Sequence, residues 1–140
     1  MRPPLTLAEA VRYHDHLLTL HGGTPGLRDQ GGLESALSQP EAAFFGEVRF
    51  PSPVDQAAAY LYYVISAHAF VDGNKRTAGA LGLIWLTAHD VEITSEDAYF
   101  DLCLDVARGQ LDIEQTVDRL GAIVQRTAAP SPWTPAPPDG

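Results

Sequence analysis

The 140-residue chain has one cysteine, Cys103, and one methionine. A single thiol excludes an internal disulfide and any cluster of cysteine metal ligands. Cys103 itself reads as a small core residue. Positive charge is also scarce: nine Lys and Arg stand against 18 Asp and Glu, a formal net charge of −9. Broad nucleic-acid binding needs a cationic surface, so direct nucleic-acid binding is not expected. No uninterrupted apolar run reaches the roughly 18 residues that a membrane span needs. The opening MRPPLTLAEA lacks the apolar core of a signal peptide. A cytoplasmic protein without membrane association is expected. Three catalytic signatures are missing as well: Gly-x-x-x-x-Gly-Lys-Ser/Thr, Gly-x-Gly-x-x-Gly and the Gly-x-Ser-x-Gly nucleophile elbow.

What the chain does have is an apolar content of 45%, enough for one globular domain. Two segments, Ala57 to Ala67 (AAAYLYYVISA) and Ala78 to Ala88 (AGALGLIWLTA), are apolar almost all round. A helix of that kind belongs in a core. Between them lies the polar string His68-Ala69-Phe70-Val71-Asp72-Gly73-Asn74-Lys75-Arg76-Thr77. Asp72-Gly73-Asn74 reads as a helix start, with Asp or Asn as cap. Lys75 and Arg76 then fall in the first helical turn. That end of the helix dipole disfavours cations by roughly 0.3–1 kcal/mol each. It also carries free N–H groups that bind anions. Cations placed there against the local rule suggest a phosphate cradle. The plainer alternative is Asp72 as a simple cap, with Lys75 and Arg76 solvated or paired to it.

The rest of the chain supplies caps and helical periods. Thr6-x-x-Glu9 is a capping box for a helix from Leu7 to His21, which carries His14, His16 and His21. These read as ordinary helix histidines, because no third metal ligand accompanies His14 and His21. A turn-rich loop, GGTPGLRDQGG, precedes a short helix over Leu33 to Leu37 that ends before Pro40. Residues 41 to 52 show no clean period. Their Phe44, Phe45 and Phe50 either fold back onto the core or form the flap for positioning a target chain that the family resemblance described below implies here. Ser52-Pro53 opens a helix to Ala67, and a second core helix runs from Asn74 to His89. Gly79, Ala80 and Gly82 on the latter leave room for a neighbouring helix. Thr94-Ser95 starts a helix that ends near Gly109, and Asp112 starts a last helix carrying Ile113, Val117, Leu120, Ile123 and Val124. The predicted domain spans residues 1–127. The remainder, 128–140, holds five prolines and Trp133 and reads as an extended or disordered tail.

The central string resembles the signature of the Fic/Doc family, His-x-Phe-x-(Asp/Glu)-Gly-Asn-(Gly/Lys)-Arg, at seven of its nine positions. Gly26-Leu27-Arg28-Asp29 followed by Gly32-Leu33-Glu34-Ser35-Ala36-Leu37 is similar to the Doc, or death-on-curing, branch. The resemblance implies an all-α bundle of about six helices, with two central buried helices flanking the motif loop. It implies phosphoryl transfer with ATP and Mg²⁺. His68 would be the base, since imidazole titrates near neutral pH. Asp72 would be a hard oxygen ligand for magnesium. Gly73, Asn74, Lys75, Arg76 and Thr77 would hold phosphate, and Arg28 and Asp29 would lie at the site edge.

Two chemistries occur in the family. Most Fic members transfer AMP, whereas Doc-type members transfer the terminal phosphate. AMP-transferring members usually have Gly where this chain has Lys75, and a second Arg where it has Gly79. Both differences favour a kinase acting on a protein Ser/Thr hydroxyl. The resemblance implies elongation factor Tu as target, arrest of translation, and a Phd-like antitoxin as partner. AMP transfer, or a catalytically silent protein-binding module, are the competing readings. Ala69, where many members have Pro, is a departure from the pattern.

Overall fold

Each helix but one begins where a side chain caps it. The computed structural model describes residues 2–127. The tail 128–140, with Trp133, lies outside the described residues. Thr6 and Glu9 form the capping box of α1, Leu7–His21. Asp29 caps α2, Gln30–Ser38, by accepting the N–H of Gly32, and a 3₁₀ turn over Gln39–Glu41 follows. Ser52 caps α3, Pro53–Ala67, with proline in its first turn. Ser95 caps α5, Glu96–Ala107. Asp112 and Gln115 form a second capping box at α6, Ile113–Gly121. Caps of this kind contribute about 1 kcal/mol each by satisfying backbone donors that a helix start leaves open. The exception is α4, Asn74–Ala88, whose cap residue is Gly73 and has no side-chain hydrogen bond.

The α3–α4 pair forms the centre of an all-α fold. Ala57, Ala58, Tyr60, Leu61 and Val64 on α3 and Ala78, Leu81, Trp85 and Leu86 on α4 are buried. The α1, α2, α5 and α6 helices pack around them, adding Ala10, Leu33, Leu102 and Leu120 to the core. The indole N–H of Trp85 donates to Gln56 Oε1 at 3.1 Å, and Gln56 Nε2 donates to the Phe50 carbonyl at 3.1 Å. The largest core side chain thus keeps its polar atom paired. The small residues of α4 admit α5, as expected. Tyr99 lies across them, with its hydroxyl donating to the Gly79 carbonyl at 2.6 Å. A Cβ on Gly82 would stand 2.6 Å from that hydroxyl.

Several expectations need correction. The second helix begins at Gln30, not Leu33, because Asp29 caps it and carries it through the two glycines. The last helix does not carry Ile123 and Val124. It ends at Gly121, and a strand β4, Val124–Arg126, pairs antiparallel with β3, Val91–Ile93. Runs of three residues show no readable period alone and become strands only by pairing. The stretch 41–52 contains a further two-stranded hairpin, β1 over Ala43–Phe44 and β2 over Glu47–Val48. Phe50 folds into the core, while Phe44 and Phe45 stand exposed on the hairpin. Phe50 thus follows the core reading, and Phe44 and Phe45 do not. No helix among the described residues is long and apolar enough to cross a membrane.

Candidate active site

The motif loop starts with a strained residue. Helix α3 ends at Ala67, and His68 turns the chain in the left-handed conformation, φ 46° and ψ 46°. A side chain there costs about 1–2 kcal/mol relative to the right-handed form, a penalty found mostly at functional positions. The loop closes at Gly73, φ 80°, where glycine takes the left-handed turn without that penalty. Two chain reversals five residues apart place the end of α3 beside the start of α4.

Every turn of the loop is tied down from behind. The Ala69 carbonyl accepts from the N–H groups of Arg28 and Asp29, at 2.7 and 3.0 Å, and the Val71 N–H donates to the Gly26 carbonyl at 3.0 Å. Segment 26–29 is thereby strapped along 69–71 as a β-bridge between Leu27 and Phe70. The Arg28 guanidinium donates to the His68 carbonyl at 2.8 Å. The Asn74 side chain turns back on the loop, accepting from the Phe70 N–H and donating to the Phe70 carbonyl, each at 2.9 Å. That pairing fixes the orientation of the amide and leaves Asn74 Nδ2 3.3 Å from His68 Nδ1. His68 is exposed to solvent.

At the front, the first N–H groups of α4 belong to Asn74, Lys75 and Arg76 and precede any intrahelical acceptor. No side chain caps them. Among the described residues neither Lys75 nor Arg76 forms an ion pair. Lys75 Nζ lies 5.6 Å from the centre of the exposed Phe100 ring. Asp72 does not cap the helix as expected. Its two carboxylate oxygens accept from the backbone N–H groups of Gly73, at 2.9 Å, and Thr24, at 3.1 Å. The Thr24 N–H first, then that of Gly73, holds the carboxyl below its usual range, and the Arg76 charge adds to this. Asp72 is therefore an exposed carboxylate at neutral pH.

These groups share one cavity of about 340 Å³, lined by His68, Asp72, Gly73, Asn74, Lys75 and Arg76 with Ile65, Val71 and Ala107. A groove of about 700 Å³ continues from Lys75 and Arg76 along α4 and α5, past Gly79, Leu83, Phe100 and Cys103. Burial pushes the Cys103 thiol up to about 11, so it sits in this wall as a neutral group. Three sequence-predicted residues do not line the cavity. Thr77 is fully buried beneath the cradle, so it does not offer its hydroxyl to phosphate. Arg28 and Asp29 lie behind the loop. They do not pair with each other: Arg28 supports the His68 carbonyl and Asp29 caps α2. Asn74 lines the cavity, but both ends of its amide are used on the loop.

One residue escaped the sequence reading. His14 on α1 is buried. Its Nε2 lies 2.8 Å from the Asp72 carbonyl oxygen, and its ring stacks on Phe70 with centroids 3.7 Å apart. The only signal in the sequence is its position on the apolar stripe of α1. It has no metal partner: His21 is exposed, and among the described residues no group of three or more His, Cys, Asp or Glu could hold a metal ion. A metal at Asp72 would draw its other ligands from phosphate oxygens and water, as magnesium does in nucleotide sites. The residues fit that arrangement. Each Asp72 oxygen accepts one N–H and keeps a lone pair for a cation, and the uncapped N–H groups with Lys75 and Arg76 suit an anion.

The chain is similar to proteins of one known family. Residues 4–86 match the model of the Fic/DOC family. The chain is 35% identical over 102 residues to Toxin Doc of Mycolicibacterium smegmatis, covering 71% of this chain and 78% of that one. It is 29% identical over 112 residues to Protein kinase doc of Escherichia phage P1, covering 80% of this chain and 88% of that one. The match takes in α1 through most of α4, which is the part of the fold that builds and straps the motif loop. On these matches, the chain belongs to the Fic/Doc family.

Proposed function

We propose that this protein is a Doc-like toxin that transfers the γ-phosphate of ATP to a Ser/Thr hydroxyl of a target protein. The observation that carries the reading is the uncapped start of α4, whose Lys75 and Arg76, without an ion pair among the described residues, share one cavity with His68 and Asp72. The name of the phage relative, Protein kinase doc, supports the same chemistry. The target hydroxyl gives its proton to the His68 imidazole as its oxygen bonds to the γ-phosphorus. The bond from that phosphorus to the bridging oxygen breaks, and ADP leaves. Lys75, Arg76 and the N–H groups of α4 hold the phosphate oxygens and oppose the charge that builds on them. Magnesium bound at Asp72 would supply charge neutralisation at the phosphates.

Position 79 favours this over AMP transfer. A Cβ there would meet Cys103 Sγ at 3.4 Å and Tyr99 Cε2 at 3.9 Å. With glycine at position 79, no second cation stands there to hold the distal phosphates. Elongation factor Tu as target, arrest of translation and restraint by a Phd-like antitoxin complete the proposal, all three from the family resemblance. The groove along α4 and α5 carries cations at one end and Glu96 and Asp97 at its rim, and would suit an amphipathic antitoxin segment.

The test supplies ATP labelled on either the γ- or the α-phosphate to the purified protein, magnesium and a bacterial lysate, with His68→Ala as control. Label from the γ-phosphate on one protein band, lost in the control, is expected. Label from the α-phosphate would establish AMP transfer instead. Absence of both, also with purified elongation factor Tu, would favour a binding module.

A further inference from the structure

Helix α1 contributes nothing to the motif in sequence, yet the His14 side chain reaches the loop from it. The His14 ring is 1% exposed. A buried imidazole is unfavourable unless its nitrogens are used. Here both face oxygen: Nε2 the Asp72 carbonyl at 2.8 Å, and Nδ1 the Asp15 carboxylate at 3.1 Å. A carbonyl only accepts, so Nε2 donates. The ring lies nearly parallel to that of Phe70, at 6°, and packs against Gly73, where an added Cβ would be 3.5 Å from it. Phe70, Asp72 and Gly73 thus rest on one flat, polar-tipped side chain.

The carboxylate of Asp72 is held from the same side. Its Thr24 donor lies just beyond the end of α1, and the Leu18 side chain of α1 also comes within 4 Å of a Cβ built at Gly73. The Asp72 carbonyl precedes the first acceptor of α4 and would otherwise face solvent. We propose that His14 is a positioning residue. By holding the Asp72 carbonyl and the Phe70 ring against α1, it sets where the Asp72 carboxylate stands relative to the open start of α4. Its consequence for catalysis rests on the functional reading above; its consequence for the loop does not.

The experiment uses the full chain with His14→Phe, which keeps a flat ring but removes the donor, and His14→Gln, which keeps a donor. A third variant, His14→Met, replaces the first if that one does not fold. The primary readout is NMR without ligand: the hydrogen exchange of the Thr24 and Gly73 amides. In His14→Phe both amides should exchange at least about tenfold faster. Exchange in α3 and α5 should be unchanged. His14→Gln should restore most of the difference. Binding of Mn²⁺ with a non-hydrolysable ATP analogue should weaken about tenfold in His14→Phe, while binding of the analogue in EDTA stays level, which a general loss of stability would not produce. Unchanged exchange of both amides in His14→Phe would overturn the proposal. Altered exchange in a protein whose wild type neither binds nucleotide nor transfers phosphate would uphold His14 as the support of the loop and reject the kinase reading instead.

Discussion

Asn74 holds both polar ends of one residue, accepting the Phe70 N–H and donating to the Phe70 carbonyl, each at 2.9 Å. Both groups are buried, so they have no water to fall back on. Asn74→Ala should lower the unfolding free energy by about 1–3 kcal/mol, the range for leaving buried backbone groups unpaired. Asn74→Asp keeps the acceptor, loses the donor and should fall between. Urea denaturation of the three proteins checks the order. Phosphate transfer should drop further than stability in both variants, because the amide also faces His68 Nδ1.

His68 occupies a left-handed position that suits glycine better. His68→Gly should therefore keep or raise stability, by up to about 1 kcal/mol, while abolishing transfer. An unchanged denaturant slope with an equal or higher midpoint would show it. A midpoint well below wild type would mean that the His68 side chain stabilises the loop.

The Tyr99 hydroxyl fills the space over Gly82. Gly82→Ala forces that ring away and breaks its bond to Gly79. A loss of about 1–3 kcal/mol is expected, as for other overpacked cores. Tyr99→Phe removes the obstructing oxygen. The double variant should lose less than the sum of the two single changes, a coupling that a double-mutant cycle measures directly.

Asp72 has its folded-state pKa lowered by the Thr24 and Gly73 N–H groups. A depressed carboxyl contributes stability above its unfolded value, near 3.8, and loses that contribution as pH falls through the folded value. Wild type should thus exceed Asp72→Asn in melting temperature at neutral pH, and the gap should close as pH falls below about 4. Melting curves from pH 7 to 3 follow it. A gap that does not change with pH would place the effect elsewhere than in the carboxylate.

Much of the fold is legible along the chain because its signals are local. Thr6 with Glu9, Ser52 with Pro53, Ser95, and Asp112 each announce a helix within four residues, and the structure places helix starts at all of them. The motif is legible for the same reason: its cavity-lining residues span nine consecutive positions. What the sequence does not reveal is contact across distance. His14 meets Asp72 58 positions away, and Arg28 reaches the His68 carbonyl 40 positions away. No periodicity encodes either contact. Adjacency to the motif is not orientation: one position past Arg76, the helix turns the Thr77 side chain into the core. The β3–β4 pair carries no local signal, because each run of three residues becomes a strand only through the other.

The order of the chain also bears on when the protein can become active. Ala107 of α5 lines one side of the cavity. During synthesis the motif emerges before that wall. A nascent chain carrying residues 68–76 therefore lacks a finished pocket until about thirty further residues have left the ribosome. For a protein proposed to attack the translation machinery, that delay separates the making of each copy from its first opportunity to act.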